Sequence, residues 1–315
     1  MKSGKSIVSV VIPCFNESGN LEQLVVRINK VLPDHRELIF VDDGSTDQTL
    51  EVIRNLGEQD PSIRWISLSR NFGHQNALKA GIDAATGDCV ISLDGDGQHP
   101  PELIPEMLTR WQEGYEVVTT IREDSVARIS AGSFFSRLFY KFLNLLSDTR
   151  IDPGSADFRL LDRKVVREIR KLGERDLFLR GLVRWVGFRQ TALKYTPGER
   201  QEGTSKYSVR RKLKFAAAGI TSFSTRPLKI SMIFGFVFAF LAFIYGMYAI
   251  YIALFTDKSV TGWASLMVSI LFIGGIQLIM IGILGEYLGK MFLENKQRPT
   301  YIIRDTNIES LKQES

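Results

Sequence analysis

Two stretches in the last third of this 315-residue chain limit what the rest of it can be. No charged residue falls between Lys229 and Asp257, and none between Lys258 and Glu286. Crossing a hydrocarbon core takes about 20 apolar residues, so each run is long enough to span with room for tilt. A pair of buried helices in a soluble core is the weaker reading at these lengths, and two transmembrane helices are predicted. Basic residues crowd before the first run (Lys206, Arg210, Arg211, Lys212, Lys214, Arg226, Lys229) and follow the second (Lys290, Lys296, Arg298), whereas the link offers only Asp257 and Lys258. By the positive-inside rule both termini and the N-terminal part are cytosolic, in a two-span, multi-pass protein of the cell inner membrane. Met1 to Ser6 are polar and lack the apolar core of a signal peptide. Cys14 and Cys89 fall at strands of that cytosolic part, so no disulfide is expected, and two cysteines with three scattered histidines show no zinc spacing. The net charge of +5 is concentrated beside the apolar runs, which favours anionic lipid headgroups and gives no reason to expect nucleic acid.

Ahead of those runs, strand and helix patterns alternate. A β-branched run over Ile7 to Pro13 precedes a helical pattern at Leu21, Leu24, Val25, Ile28 and Val31. Glu37 to Val41 leads through Asp42–Asp47 into a helix over Thr49 to Leu56, and Ile63 to Leu68 leads through Arg70–Gly73 into a helix over Gln75 to Ala85. A fourth strand begins at Cys89, and a fifth covers Glu116 to Thr120. Such alternation predicts an α/β fold with a mainly parallel, Rossmann-like sheet covered on both faces, with ligands at the carboxyl ends of its strands.

The fourth strand stops at Asp94-Gly95-Asp96-Gly97-Gln98, which presents oxygen-bearing side chains at alternate positions. Hard divalent cations take one or two carboxylates and complete their shell with water and phosphate oxygens. Pro13, Phe15, Glu17, Asp42, Asp43, Asp94, Asp96 and Gln98 would all converge on one edge, where the acids repel unless a cation or hydrogen-bonding ligand joins them. A base edge and ribose suit the first loops, and a metal diphosphate suits the last. Neither the dinucleotide glycine fingerprint nor a lysine-bearing phosphate loop is present.

Val-Val-Ile-Pro-Cys-Phe-Asn-Glu, Val-Asp-Asp-Gly-Ser-Thr-Asp, Arg-Asn-Phe-Gly, Asp-Gly-Asp-Gly-Gln-His-Pro-Pro-Glu and Asp157-Phe158-Arg159-Leu160-Leu161 together resemble the inverting, family 2 glycosyltransferases of the GT-A fold. Within that family the chain is similar to polyprenyl-phosphate glycosyltransferases: dolichol-phosphate mannose synthase and, more closely, the bactoprenol glucosyltransferases of O-antigen modification. The resemblance covers roughly residues 6 to 300. It implies that Pro13, Phe15, Glu17, Val41 and Asp43 hold the nucleotide, that Asp94, Asp96 and Gln98 hold Mg2+ or Mn2+ with the diphosphate, and that Asp96, Asp157 and Arg122 are catalytic. Arg122, Arg200 and Lys206 would meet the phosphates of donor or acceptor. A structural ion pair of Asp157 with Arg159 or Arg163 is the alternative for that acid.

Phe134, Phe135, Leu138, Phe139, Phe142, Leu145 and Leu146 recur at helical spacing, as a core helix or one leaning on lipid. Val209, Leu213, Ala217 and Ile220 form the apolar stripe of a basic interfacial helix. The organisation expected is a catalytic domain over 1–196, an acceptor loop and amphipathic helix over 197–228, a two-helix membrane domain over 229–292 and a cytosolic tail over 293–315. Gly274, Gly275, Gly282 and Gly285 would let helices pack closely, within the pair or in a homo-oligomer. The activity implied is transfer of a hexose, glucose from UDP-glucose, to polyprenyl phosphate with inversion. A mannosyl or aminoarabinosyl transferase, a polysaccharide synthase and a non-catalytic nucleotide-sugar-binding scaffold are the alternatives. A synthase fits less well because the position matching the glutamine of its Gln-x-x-Arg-Trp motif, before Arg184-Trp185, is Gly181.

Overall fold

The computed structural model describes residues 6–32, 34–123, 155–174, 178–196, 225–255 and 262–312. The aromatic helix expected over 134–146, the interfacial helix over 207–220, Arg200 and Lys206 lie outside the described residues. The chain divides into two compact units, one carrying the β-sheet and one carrying the two long apolar helices.

In the first unit the expected alternation is present: β1 (Val8–Cys14), α1 (Leu21–Val31), β2 (Arg36–Asp42), α2 (Thr49–Gln59), β3 (Ile63–Leu68), α3 (His74–Ala84) and β4 (Cys89–Ser92). After a 3-10 turn at Pro101–Leu103 come α4 (Ile104–Gln112), β5 (Val117–Arg122), β6 (Ser155–Asp162), α5 (Arg163–Lys171), α6 (Leu179–Trp185) and β7 (Gln190–Tyr195). β1, β2, β3 and β4 run parallel in the order β3-β2-β1-β4. All seven residues of β1 are buried, as a β-branched run between two parallel neighbours should be. Leu21, Leu24, Val25 and Ile28 of α1 cover one face, and their burial is worth roughly 6–12 kcal/mol before the entropic cost of ordering them. On the other face α3 lies close enough that a methyl at Gly81 would stand 2.2 Å from Val11 Cγ1 and 3.1 Å from Val41 Cγ2.

Beyond β4 the parallel pattern breaks. β6 inserts antiparallel between β4 and β5, and β7 pairs parallel on the far side of β5. That insertion carries Asp157 and Arg159 into the centre of the sheet, with Ser92 the register partner of Arg159.

The second unit holds α7 (Arg226–Phe255) and α8 (Trp263–Asn295). At 1.5 Å per residue they are about 45 and 50 Å long, against about 30 Å of hydrocarbon. Leu228–Tyr248 and Phe272–Asn295 are apolar enough to cross a membrane, with mean hydropathy 2.2 and 1.6. Phe238 meets Phe272 edge-on at 5.8 Å. The glycine expectation is corrected for this pair, since among the described residues a Cβ at Gly274, Gly275, Gly282 or Gly285 would meet nothing within 4 Å.

The expected tail is more than a tail. β8 (Ile303–Thr306) joins the first unit's sheet antiparallel to β3, and α9 (Glu309–Lys312) follows it. A four-residue strand reading Ile-Arg-Asp-Thr gives no periodicity to detect.

Candidate active site

β1 has β2 on one side and β4 on the other, so the chain reverses its direction of winding there. Open α/β sheets take ligands at such a switch point, outside the carboxyl ends of the strands. The loop after β1 is stitched to the loop after β2. Asn16 N–H donates to Ser45 Oγ at 3.0 Å, Asn16 Oδ1 accepts from Thr46 N–H at 2.9 Å, and Glu17 N–H donates to Thr49 Oγ1 at 2.9 Å. This leaves the Phe15 ring exposed, and the Glu17 carboxylate accepts from Asn20 at 2.6 Å. Asp42 Oδ1 accepts from Ser45 N–H at 3.0 Å and Oδ2 from Ser67 at 3.1 Å. Asp43 reaches the next loop, its oxygens accepting from the amides of Phe72 and Gly73 at 2.7 and 2.9 Å. Burial pushes the Asp43 carboxyl up against the downward pull of those two amides. Gly44, at φ +70°, lets the loop after β3 close down: a Cβ there would stand 2.6 Å from the Arg70 carbonyl carbon and 2.8 Å from Asn71 N.

On the other side of the switch point, Gly95 lies against Cys14, a Cβ there standing 3.2 Å from Sγ. Asp94 follows directly. Its Oδ1 is 3.0 Å from His74 Nε2, at the start of α3, and its backbone N–H donates to His99 Nδ1 at 3.1 Å. His99 Nδ1 also lies 3.6 Å from Asp94 Oδ2. His99 is buried, stacked on Phe158 at 5.3 Å. Partial burial pushes the Asp94 carboxyl up, His99 and His74 oppose the shift, and Asp157 and Asp96 add to it. Asp96 Oδ1 accepts from Gln98 N–H at 3.1 Å, closing the turn, while Oδ2 has no partner among the described residues. The Gln98 side-chain oxygen accepts from Arg122 Nη1 at 3.1 Å.

Asp157 sits beside these groups, 5% exposed. Arg159 Nη2 donates to Oδ1 at 2.5 Å, and Arg180 from α6 forks onto both oxygens at 3.0 and 2.7 Å. Gln75 Nε2 donates to Oδ2 at 3.2 Å, and His74 Nε2 lies 4.0 Å away. A carboxylate has about four lone-pair sites, and four N–H groups use them. Burial alone would raise this carboxyl, but Arg180 and then Arg159 outweigh it and hold it well below the usual carboxylate range. A carboxylate so held is a poor proton acceptor and a good anchor for two guanidinium groups.

Residues 9–170 match the family model described as Glycosyl transferase family 2, and residues 226–291 match one described as GtrB C-terminal hairpin. The chain belongs to glycosyl transferase family 2. Its sheet unit is a GT-A fold and the protein is a glycosyltransferase. It is 42% identical over 299 residues to an uncharacterized glycosyltransferase, YkcC, of Bacillus subtilis (strain 168), covering 94% of this chain and 93% of that one. Two further relatives are each 40% identical. The bactoprenol glucosyl transferase of Shigella phage SfV is matched over 95% of this chain and 98% of its own, and the prophage bactoprenol glucosyl transferase homolog of Escherichia coli (strain K12) over 94% and 98%.

For a family 2 enzyme the donor set at the Asp94 loop can be tested against a divalent cation. No group of three or more His, Cys, Asp or Glu side chains among the described residues is arranged to cage a metal. The loop instead offers two carboxylates, one with an open oxygen, which fits a hard cation completed by phosphate oxygens and water. Gln98, expected as a third ligand, turns its side-chain oxygen to Arg122 Nη1 at 3.1 Å and keeps a second lone pair on that oxygen. Val41, expected as a nucleotide contact, has its side chain fully buried under α3. Pro13 is likewise buried within β1, so only its backbone edge is near the site. Arg163, the alternative partner for Asp157, instead donates to the Gly87 carbonyl at 2.8 Å. His74, Gln75 and Arg180 were missed. The first two were within reach of sequence reasoning, because they follow Arg70–Gly73 on the same sheet edge; nothing in the spacing points to Arg180.

Proposed function

We propose that the protein transfers a hexose, glucose from UDP-glucose, to undecaprenyl or another polyprenyl phosphate, with inversion. The observation that carries this reading is the Asp94–Asp96 carboxylate pair at the switch point, in a chain 40% identical along nearly its whole length to bactoprenol glucosyl transferases. Phe15, Glu17 and the Asp43 loop take the nucleotide, with Pro13 behind them. Asp94 and Asp96 hold Mg2+ or Mn2+, which when bound would neutralise charge on the departing diphosphate. Arg122, fixed by Gln98, supplies positive charge beside the same loop.

In the reaction an oxygen of the lipid phosphate forms a bond to the anomeric carbon as the bond from that carbon to the diphosphate breaks, and UDP departs. A phosphate with a second pKa near about 6 is mostly ionised at neutral pH, so no strong base is required. Asp157 accordingly serves as a positioning residue that orients Arg180 and Arg159. Arg200 and Lys206 are assigned to the donor or acceptor phosphates through family resemblance.

The long helices α7 and α8 anchor the enzyme in the inner membrane, with the sheet unit and both termini on the cytosolic side. Support for that placement comes from the basic residues flanking the apolar runs. Calorimetric titration of UDP- and GDP-sugars, with and without Mg2+ or Mn2+, tests the donor assignment. UDP-glucose should bind with metal and bind much more weakly without it. Binding of GDP-sugars alone, or of neither class, contradicts the reading.

A further inference from the structure

The segment that follows α8 makes unusually specific contacts for a stretch at the edge of a sheet. Ile66 pairs with Thr306 and Ser67 with Asp305, but Leu68 pairs with Ile303, so Arg304 is the extra residue of a β-bulge. Bulges re-aim side chains. Here the Arg304 guanidinium is delivered to the Ser69 carbonyl at 2.5 Å, while Ser69 N–H donates to the Ile302 carbonyl at 2.9 Å. Both main-chain groups of Ser69 are therefore held by the C-terminal segment.

Ser69 begins the connection from β3 to α3, and the next residues meet the nucleotide loop directly. Arg70 and Asn71 press on Gly44, and the amides of Phe72 and Gly73 hold the Asp43 carboxylate. The same segment also reaches the C-terminal end of α3, where the Tyr301 hydroxyl donates to Asp83 at 3.0 Å. Asn307 locks the register, its side chain accepting from Trp65 N–H at 2.7 Å and donating to the Ile63 carbonyl at 3.2 Å.

We propose that β8 is a positioning element for the nucleotide-sugar site, with Arg304 setting the Ser69–Gly73 connection and through it the Asp43 carboxylate. The strand touches no substrate. The proposal rests on the nucleotide reading of the Asp43 loop and adds a residue outside that loop that tunes donor affinity.

The test uses the full-length protein and three variants, Arg304→Ala, Arg304→Lys and Asn307→Ala. UDP affinity is measured by calorimetry with Mn2+, and KM for donor and for lipid acceptor by steady-state transfer. Arg304→Ala should weaken UDP binding and raise donor KM roughly five- to tenfold, less than the full loss of a charge-assisted hydrogen bond because the effect reaches the site through the Ser69–Gly73 connection. Acceptor KM and kcat at saturating donor should be unchanged, and Arg304→Lys should restore part of the loss. Asn307→Ala, which loosens the register without touching Ser69, should shift donor KM in the same direction. A purely structural role would lower Tm while leaving UDP affinity of the folded variants at the wild-type value, and that result overturns the proposal. A wild-type protein that binds neither UDP nor GDP overturns the nucleotide reading and this proposal together; equal affinities in wild type and both alanine variants overturn this one alone.

Discussion

Replacing Asp157 with asparagine separates an anchoring carboxylate from a catalytic base. The side chain keeps its shape but loses its charge, while Arg159, 3% exposed, keeps its own with no other acid in hydrogen-bond contact among the described residues. Removing one partner of a buried ion pair costs about 3–5 kcal/mol. The Arg180 half of the interaction adds little, about 0–1 kcal/mol, because that side chain is 41% exposed and solvent screens it. With about 2–4 °C of Tm per kcal/mol for a domain of 150–250 residues, thermal unfolding should shift down by roughly 6–24 °C. The effect has a pH signature. Asp157 titrates lower in the folded protein than the unfolded value of about 3.9, so its stabilisation is complete above that value and disappears as pH falls through it toward the folded value. The Tm gap between wild type and Asp157→Asn should therefore be constant from pH 5 to 8 and close below about pH 4. Tryptophan fluorescence during heating in detergent measures it. A variant with wild-type Tm, reduced kcat and a lost acidic limb in its pH–rate profile would refute the anchoring assignment and restore Asp157 as a base.

Other consequences are as specific. Asp96→Asn should leave Tm nearly unchanged, abolish metal-dependent UDP binding and reduce transfer by about 10²-fold or more, measured by Mn2+ titration and labelled-sugar transfer. Gly44→Ala should destabilise the sheet unit by about 2–5 kcal/mol, through a disfavoured backbone angle and a clash with Arg70 and Asn71, and raise donor KM as the loop is displaced; unfolding and kinetics check it. Cys14 and Cys89 are buried, and burial, reinforced by the neighbouring Glu17, Asp42 and Asp94, pushes the Cys14 thiol well up; iodoacetamide at pH 8 should label neither in native protein and both after denaturation, as mass spectrometry would show.

The parallel half of the sheet was legible because its strands are β-branched runs followed by helices of clear period, and the convergence of Asp43 with the Asp94 loop follows from that order alone. What was hidden is long-range. The Asp157–Arg159 ion pair was already an alternative in the sequence, but not its place in β6, because a strand that carries two buried charges breaks the apolar pattern by which a strand is found. Arg180 joins them from α6, 23 residues along, through a fork whose geometry exists only once the sheet is assembled. β8 returns to β3 from beyond two long apolar helices, a pairing between segments about 240 residues apart. Val41 carries a nucleotide role by resemblance alone, and the alternation of a buried strand turns its side chain under α3.

The most direct test of the central claim is transfer of labelled glucose from UDP-glucose to undecaprenyl phosphate by purified protein, with the lipid extracted and the anomeric configuration of the product determined. A metal-dependent lipid-linked glucosyl phosphate of inverted configuration, lost in Asp96→Ala, is the predicted result. Absence of any lipid-linked product with every UDP- and GDP-sugar tried, with Asp96→Ala indistinguishable from wild type, would contradict it.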